Sequence, residues 1–117
     1  MSLKYFGKGR RKQGHMNRLE SSYAQHLELL KRSGEILNYW YESVKLRLAD
    51  KTFYTPDFFV MKNDCSLEMH ETKGFMMDDA NVKLKVANEL YPFKFVLVKK
   101  VKGQFVFETV GNKQVAP

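Results

Sequence analysis

Residues 67–98 most constrain what this chain can fold into, because they combine a strand pattern, a helix pattern and a second strand pattern in succession. Side chains over 67–73 alternate between two faces, one of which begins with Leu67 and Met69 and ends with Glu71 and Lys73, a pattern typical of a half-buried strand. A helix that Asp78 or Asp79 can cap is predicted to continue through Leu90, and the apolar run over 93–98 predicts a strand inside a sheet. Two strands joined by such a helix lie parallel in one sheet, connected by a right-handed crossover. The unit therefore predicts an α/β fold.

The remaining patterns extend this unit into a mixed sheet. Apolar residues at spacings of three and four predict a helix over 18–33, with Asn17 as its N-cap and Gly34 as its stop. Pro56 predicts an irregularity just before Asp57. Alternating or aromatic-rich runs predict further strands over 35–42, 44–48, 53–60 and 104–110. The predicted fold class is α/β, with a mixed central β-sheet flanked by helices.

Charge divides the 117 residues into a flexible basic arm over 1–17 and a single folded domain over 18–117. The net charge is +7, and the first 18 residues hold six Lys or Arg side chains and no acid, which leaves +1 for the rest. Such an arm either binds a polyanion or is a solvated tail. The candidate DNA-binding residues are Lys4, Lys8, Arg10, Arg11, Lys12 and Arg18.

The location of the protein is predicted from its cysteine content and its apolar runs. One cysteine, Cys65, excludes an internal disulfide, and together with six methionines it suits a reducing cytoplasm. No apolar run approaches the roughly 20 residues that span a bilayer, and no apolar segment follows the N-terminal charges as it would in a secretory signal. We therefore expect a cytoplasmic protein without a membrane partner.

Four charged side chains lie where the patterns predict apolar surroundings. Asp57 follows Pro56 on a strand, whereas Glu71 and Lys73 lie two apart on the apolar face of the next strand. Glu20 borders the apolar stripe of the first helix, either as a capping-box residue or as an acid directed into a site, and the two roles are compatible. A buried charge is costly unless it is paired or binds a metal. A partly buried ion pair would explain Glu71 with Lys73 but would leave Asp57 without an evident partner.

Two carboxylates on adjacent strands can share a hard cation such as Mg²⁺, which prefers near-octahedral oxygen ligands. Asp57, Glu71 and the backbone carbonyl of Thr72 would supply such oxygens. Lys73 lies on the same face as Glu71, so it would steady an attacking water or the charge that builds on a phosphate. The spacing of these residues therefore predicts a cation site at the end of a strand.

The Pro-Asp pair at 56–57, followed after thirteen intervening residues by Glu-Thr-Lys at 71–73, resembles the active-site signature of the PD-(D/E)XK nuclease superfamily. The resemblance covers roughly residues 18–98. The chain is similar in outline to small, mostly phage-encoded members and to the Holliday-junction resolvases, including phage endonuclease I. The resemblance implies a restriction-endonuclease-like core, with Glu20 matching the additional acid that often comes from the first helix.

The resemblance also implies a function, Mg²⁺-dependent hydrolysis of DNA phosphodiester bonds, with Mn²⁺ as a substitute. Its implied catalytic residues are Asp57, Glu71 and Lys73 assisted by Glu20, and its implied metal ligands are Asp57, Glu71, Thr72 and Glu20. No base-reading motif is visible, so we expect selectivity for junctions, branches or flaps, as in DNA recombination. Cutting both strands of a junction implies a symmetric homodimer, acting in the cytoplasm of a bacterium that hosts a phage or prophage.

Two other function classes remain open, a non-cleaving nucleic-acid-binding protein of the same fold and an interaction module whose basic arm binds an acidic partner. His70 is expected at the surface, because it lies on the opposite face from Glu71. Glu42 is expected at an exposed strand end, although a site role stays open. The aromatic run at 39–41 is expected in the core or on the sheet rather than as a base-stacking platform. The histidines and Cys65 lack the spacing of a zinc site.

Overall fold

The computed structural model describes residues 15–74 and 78–111 of the chain. They follow the order helix, five strands, helix, two strands. The helices are α1 (Arg18–Ser33) and α2 (Asp78–Leu90), and the strands are β1 (Ile36–Tyr41), β2 (Leu46–Ala49), β3 (Thr52–Tyr54), β4 (Phe58–Lys62), β5 (Leu67–Thr72), β6 (Lys94–Val101) and β7 (Gln104–Thr109). Within these residues, neither helix has the length and apolar character needed to cross a membrane.

Five strands form one mixed sheet in the order β1–β4–β5–β6–β7. The pairs β1–β4, β4–β5 and β6–β7 are antiparallel, whereas β5 and β6 are parallel. These two strands are joined by α2, so the parallel pairing predicted for the strand–helix–strand unit is confirmed. β2 and β3 form a separate antiparallel pair, an arrangement that the sequence patterns do not predict. The predicted α/β class with a mixed central sheet is confirmed.

Helix α1 begins and ends at local signals in the sequence. The Asn17 side chain accepts a hydrogen bond from the Glu20 amide at 2.8 Å, and the Glu20 carboxylate accepts one from the Asn17 amide at 2.9 Å. This capping box satisfies two amide groups that the first turn would otherwise leave without a partner. Gly34 ends the helix with a φ of 87°, a left-handed conformation that glycine adopts without steric cost. The predicted bounds and both caps are confirmed.

Apolar side chains cover both faces of the sheet, because alternate residues of β6 point to opposite sides. On one face, Val96 and Val98 pack with Tyr23 and Leu27 of α1. On the other face, side chains of β5 and β6 pack with Leu84 of α2 and with the β2–β3 pair. The sheet is therefore the middle layer between α1 on one side and α2 with the β2–β3 pair on the other.

The structure divides the single strand predicted over 53–60. β3 ends at Tyr54, Pro56 and Asp57 belong to no strand, and β4 begins at Phe58. Proline lacks the amide needed for sheet pairing, so the chain leaves the small sheet and enters the large one at this point. The irregularity predicted at Pro56 is confirmed, and it places Asp57 at the entrance to a central strand.

Candidate metal centre

Asp57 is buried, with only 8% of its surface exposed, at the start of β4. Its Oδ2 accepts two hydrogen bonds from Thr72 on the neighbouring strand, one from the amide at 2.9 Å and one from the hydroxyl at 2.8 Å. These two donors fix the orientation of the carboxylate against the end of β5. Thr72 therefore contributes to the site by holding Asp57, in addition to any role of its backbone carbonyl.

Glu71 lies next to Thr72 near the end of β5, and its Oε1 accepts two hydrogen bonds. The Tyr54 hydroxyl donates at 2.6 Å, and the Asp57 amide donates at 3.3 Å. Both donors are neutral, and no Lys or Arg within the described residues forms an ion pair with Glu71. The alternative interpretation as a Glu71–Lys73 ion pair is therefore wrong. The structure instead links Glu71 to the β2–β3 pair through Tyr54.

Glu20 serves as a capping residue and as a member of the acidic cluster. Its side chain closes the N-terminal turn of α1, and its Oε1 also accepts a hydrogen bond from the Tyr41 hydroxyl at 2.9 Å. Only 3% of its surface is exposed. The capping role is confirmed, and the first turn of α1 also brings the Glu20 carboxylate close to those of Glu42 and Asp57.

Glu42 joins the cluster, although the sequence favours an exposed strand end for it. The residue directly follows β1 in a left-handed conformation, with a φ of 49°, and its amide donates to the Asp57 carbonyl at 2.9 Å. Non-glycine residues in this conformation are concentrated at functional sites. Pairing of β1 with β4 brings Glu42 beside Asp57. The sequence does contain a signal for this position, since Glu42 is an acid that directly follows the strand paired with β4.

The oxygen donors suit a hard divalent cation. Carboxylate oxygens of Glu20, Glu42 and Asp57 lie within 4.8 Å of one another, and Glu71 adjoins Asp57 through a hydrogen bond. Ions such as Mg²⁺ and Ca²⁺ are bound by carboxylate oxygens together with water. The cluster opens into a cleft of about 460 Å³ lined by Asn17, Arg18, Leu19, Glu20, Asp57, Glu71, Thr72 and Gly74. The cluster therefore has oxygen donors that could hold a cation, and it adjoins a cleft that is open to solvent.

Burial and mutual repulsion raise the pKa values of two of these acids. The pKa of Asp57 lies far above its usual range, first because burial disfavours the charged form and then because Glu71 and Glu20 are negatively charged. Burial is also the main cause that raises the pKa of Glu71, against which the hydrogen bond from Tyr54 acts. A divalent cation would offset this repulsion, so we expect cation binding to release protons.

The structure brings Glu20, Asp57, Glu71 and Thr72 together as predicted, whereas Lys73 lies beside the cleft rather than among the residues that line it. The Lys73 amide donates to a β6 carbonyl at 2.7 Å, and its side chain is half-buried. The alternation of an extended chain directs Lys73 to the same side as Glu71. Of the predicted DNA-binding residues, Arg18 lines the cleft, and the others lie outside the described residues: Lys4, Lys8, Arg10, Arg11 and Lys12.

The surface position expected for His70 is wrong. Its ring lies between the sheet and α1, only 7% exposed, with one nitrogen 2.6 Å from the Tyr23 hydroxyl and the other 2.8 Å from a Glu68 oxygen. The face opposite Glu71 is covered by α1, which a single-strand pattern does not reveal. Both faces of β5 are therefore buried.

Comparison of the chain with family models, with curated proteins and with solved structures finds no match.

Proposed function

We propose that this protein is an Mg²⁺-dependent endonuclease that hydrolyses phosphodiester bonds in DNA, with Mn²⁺ as a substitute for Mg²⁺. One observation carries the proposal: carboxylate oxygens of Glu20, Glu42 and Asp57 lie within 4.8 Å of one another, and two of these acids line an open cleft together with Glu71. Hard oxygen donors of this kind suit a divalent cation, and a cation there would face an anionic substrate that enters from solvent.

The order of elements supports membership of the PD-(D/E)XK superfamily with its restriction-endonuclease-like core. Its two signature acids lie on neighbouring antiparallel strands at the same edge of the sheet, Asp57 just before β4 and Glu71 near the end of β5. Glu20 comes from the helix that precedes the sheet. Buried acids clustered only for structure would be unfavourable, because well-packed apolar side chains usually give equal or greater stability.

Each residue of the site has a proposed role. Asp57, Glu42 and Glu20 hold the cation, and Thr72 fixes the orientation of Asp57. A Mg²⁺ ion held by these residues would supply positive charge that offsets the charge of the phosphate, and it would lower the pKa of a water molecule. Glu71 completes the negative site from the adjacent strand, with its orientation set by the Tyr54 hydroxyl.

Lys73 is proposed to act on the substrate rather than on the acids. Within the described residues it forms no ion pair, so its ammonium is available to stabilise the charge that develops on the phosphate. The basic residues at the start of the chain and Arg18 at the cleft would bind the DNA backbone. A substrate with two strands to cut, such as a junction, would be bound by a symmetric homodimer.

The proposal is tested by incubating the protein with four-way junctions, flaps, linear duplex and single strands in Mg²⁺, Mn²⁺ or EDTA. We expect cleavage that requires a divalent cation and is lost, by a factor of about 10² or more, in Asp57→Asn and in Lys73→Ala. The matched controls are Asp64→Asn and Lys85→Ala, which remove the same charges from exposed positions and should leave cleavage unchanged.

Two results would contradict parts of this proposal. Undiminished cleavage by Lys73→Ala would remove that residue from the mechanism. Metal-independent binding of the same substrates without any cleavage would favour the alternative, a nucleic-acid-binding protein on the same fold. Light scattering of the protein with and without junction DNA tests the homodimer, which predicts twice the mass of one chain.

A further inference from the structure

A second cavity lies at the far end of β5 from the acidic cluster. It has a volume of about 440 Å³ and is bounded by α1 on one side and by β6 and β7 on the other. Glu68, near the start of β5, lines it, whereas Glu71 near the end of that strand lines the metal site. We call this cavity the α1–β7 groove and define it by His26, Glu68, Lys94 and Phe107. Nothing in the proposed cleavage chemistry uses it.

The walls of the α1–β7 groove are aromatic. The Phe107 side chain is 50% exposed, and its ring centroid lies 6.3 Å from that of His26. The His26 ring in turn lies 5.0 Å from Phe105 and 5.7 Å from Tyr23. Burial lowers the pKa of His26, which favours the neutral form of its ring. An edge strand therefore presents planar rings to solvent where an isolated domain would normally place polar side chains.

The rim of the groove carries side chains of both charges. Lys62 and Lys94 line it, and Lys100 lies over the Phe105 ring at 5.4 Å from the centroid. Two acids also line the groove, Glu68 and Glu35. Glu68 is engaged by His70 at 2.8 Å and lies 3.9 Å from Lys94, so part of its charge is already offset.

The floor of the groove is a closed set of hydrogen bonds. The Tyr23 hydroxyl donates to His70 Nδ1 at 2.6 Å, which leaves the Nε2 hydrogen of His70 to donate to Glu68 at 2.8 Å. Burial holds the pKa of the Tyr23 phenol well above its usual range, in agreement with its role as the donor. These polar groups satisfy one another, so the floor is rigid and recognition of a ligand falls to the exposed rings and lysines.

Exposed rings flanked by lysines match the chemistry of unpaired nucleotides. Bases stack on aromatic side chains irrespective of sequence, and lysines bind the phosphates that flank them. We propose that the α1–β7 groove binds a single-stranded segment of DNA, with a base stacked on Phe107 and its phosphates near Lys62 and Lys94. The proposal rests on the proposed function for the identity of the polymer, and it gives the nuclease a preference for substrates with an unpaired strand.

The test measures binding of a fluorescent oligothymidine by anisotropy in EDTA, where no cleavage takes place. Phe107→Ala should weaken the Kd by about 5- to 150-fold, the range found when a stacking aromatic is removed. Phe107→Tyr should retain binding, because it keeps the ring. Val106→Ala is the matched control, since Val106 is the adjacent residue, 47% exposed and directed to the opposite side of β7. Lys62→Gln should reduce the slope of log Kd against log salt by about 0.7.

The possible outcomes separate this proposal from the nuclease itself. If neither Phe107→Ala nor Val106→Ala changes the Kd, the proposal that the groove binds single-stranded DNA is wrong. Metal-dependent cleavage of junctions would be unaffected by that result. If oligothymidine binding depends on Phe107 but the protein cleaves no DNA, the result would support single-strand binding in the groove and contradict the proposed nuclease activity. Phe107 is half-exposed, so circular dichroism should show both alanine variants folded.

Discussion

Replacing Asp57 by Asn should stabilise the protein in the absence of divalent cations while it removes cleavage. The Asn side chain keeps an oxygen that accepts the hydrogen bonds from Thr72, and it removes the charge that Glu71 and Glu20 repel. Residues that bind substrates or cations are often unfavourable for folding, because their charges are clustered. The expected increase in stability therefore distinguishes a cation site from a structural cluster.

The pKa of Asp57 gives the size and the pH dependence of this effect. Its rise from 3.8 to about 8 corresponds to an upper bound of about 5–6 kcal/mol, since one pKa unit is about 1.4 kcal/mol. Glu71 can hold the proton in place of Asp57, which reduces the effect of replacing Asp57 alone. We therefore expect Asp57→Asn to raise the free energy of unfolding by about 2 kcal/mol at pH 8, which corresponds to a Tm higher by roughly 8 °C. The folded state binds the proton more tightly than the unfolded state, so the destabilisation by Asp57 grows as pH rises from about 4 to about 8. The stability gained by Asp57→Asn should therefore decrease as pH falls towards 4.

The measurement is thermal unfolding in EDTA at several pH values, followed by circular dichroism. Asp64→Asn is the control, because Asp64 is exposed and hydrogen bonds from Ser66 lower its pKa. That control should not raise Tm at pH 8. A lower Tm for Asp57→Asn at pH 8, or a gain that does not depend on pH, would refute the argument from charge repulsion.

Three further predictions concern the same site. Mg²⁺ at pH 8 should raise the Tm of the wild type and leave that of Asp57→Asn nearly unchanged in the same calorimetric scan, and equal rises would place the ion elsewhere. Glu42→Gln should weaken Mn²⁺ binding by about tenfold or more in isothermal titration, whereas equal affinity would exclude Glu42 as a ligand. Asn17→Ala should lower the free energy of unfolding by about 1 kcal/mol in urea, since it removes the N-cap of α1, and no loss would contradict the capping box.

The parts of the fold that could be predicted are those that local chemistry fixes. The bounds of α1 follow from Asn17 and Gly34, whose side-chain and backbone preferences act within one turn. The break at Pro56 follows from a missing amide, and it places Asp57 correctly at the start of a strand. The parallel pairing of β5 and β6 follows from the helix between them. Each signal lies within a few residues of the feature that it determines.

The parts that escaped prediction depend on contacts between distant residues. The β2–β3 pair is a separate sheet because it packs with α2, and no pattern inside residues 46–54 indicates that partner. His70 is buried because α1 covers its face of β5. The alternation of side chains along β5 instead resembles that of a strand with one solvent-exposed face. Glu42 reaches the cluster only through the register of β1 against β4. Sequence spacing within one element contains none of this information.

The hydrogen-bond donors around Asp57 and Glu71 give the proposed cation site its strongest support. Asp57 accepts from the amide and hydroxyl of Thr72, and Glu71 accepts from the Tyr54 hydroxyl and the Asp57 amide. A neutral donor orients a carboxylate and leaves its charge in place, whereas a lysine or arginine would neutralise it. The β2–β3 pair contributes to this arrangement, since it holds Tyr54 near the end of β5, where its hydroxyl donates to Glu71. Carboxylates that are held in a fixed geometry, and that no lysine or arginine of the described residues neutralises, can still bind a divalent ion, whereas a structural ion pair would compete with it.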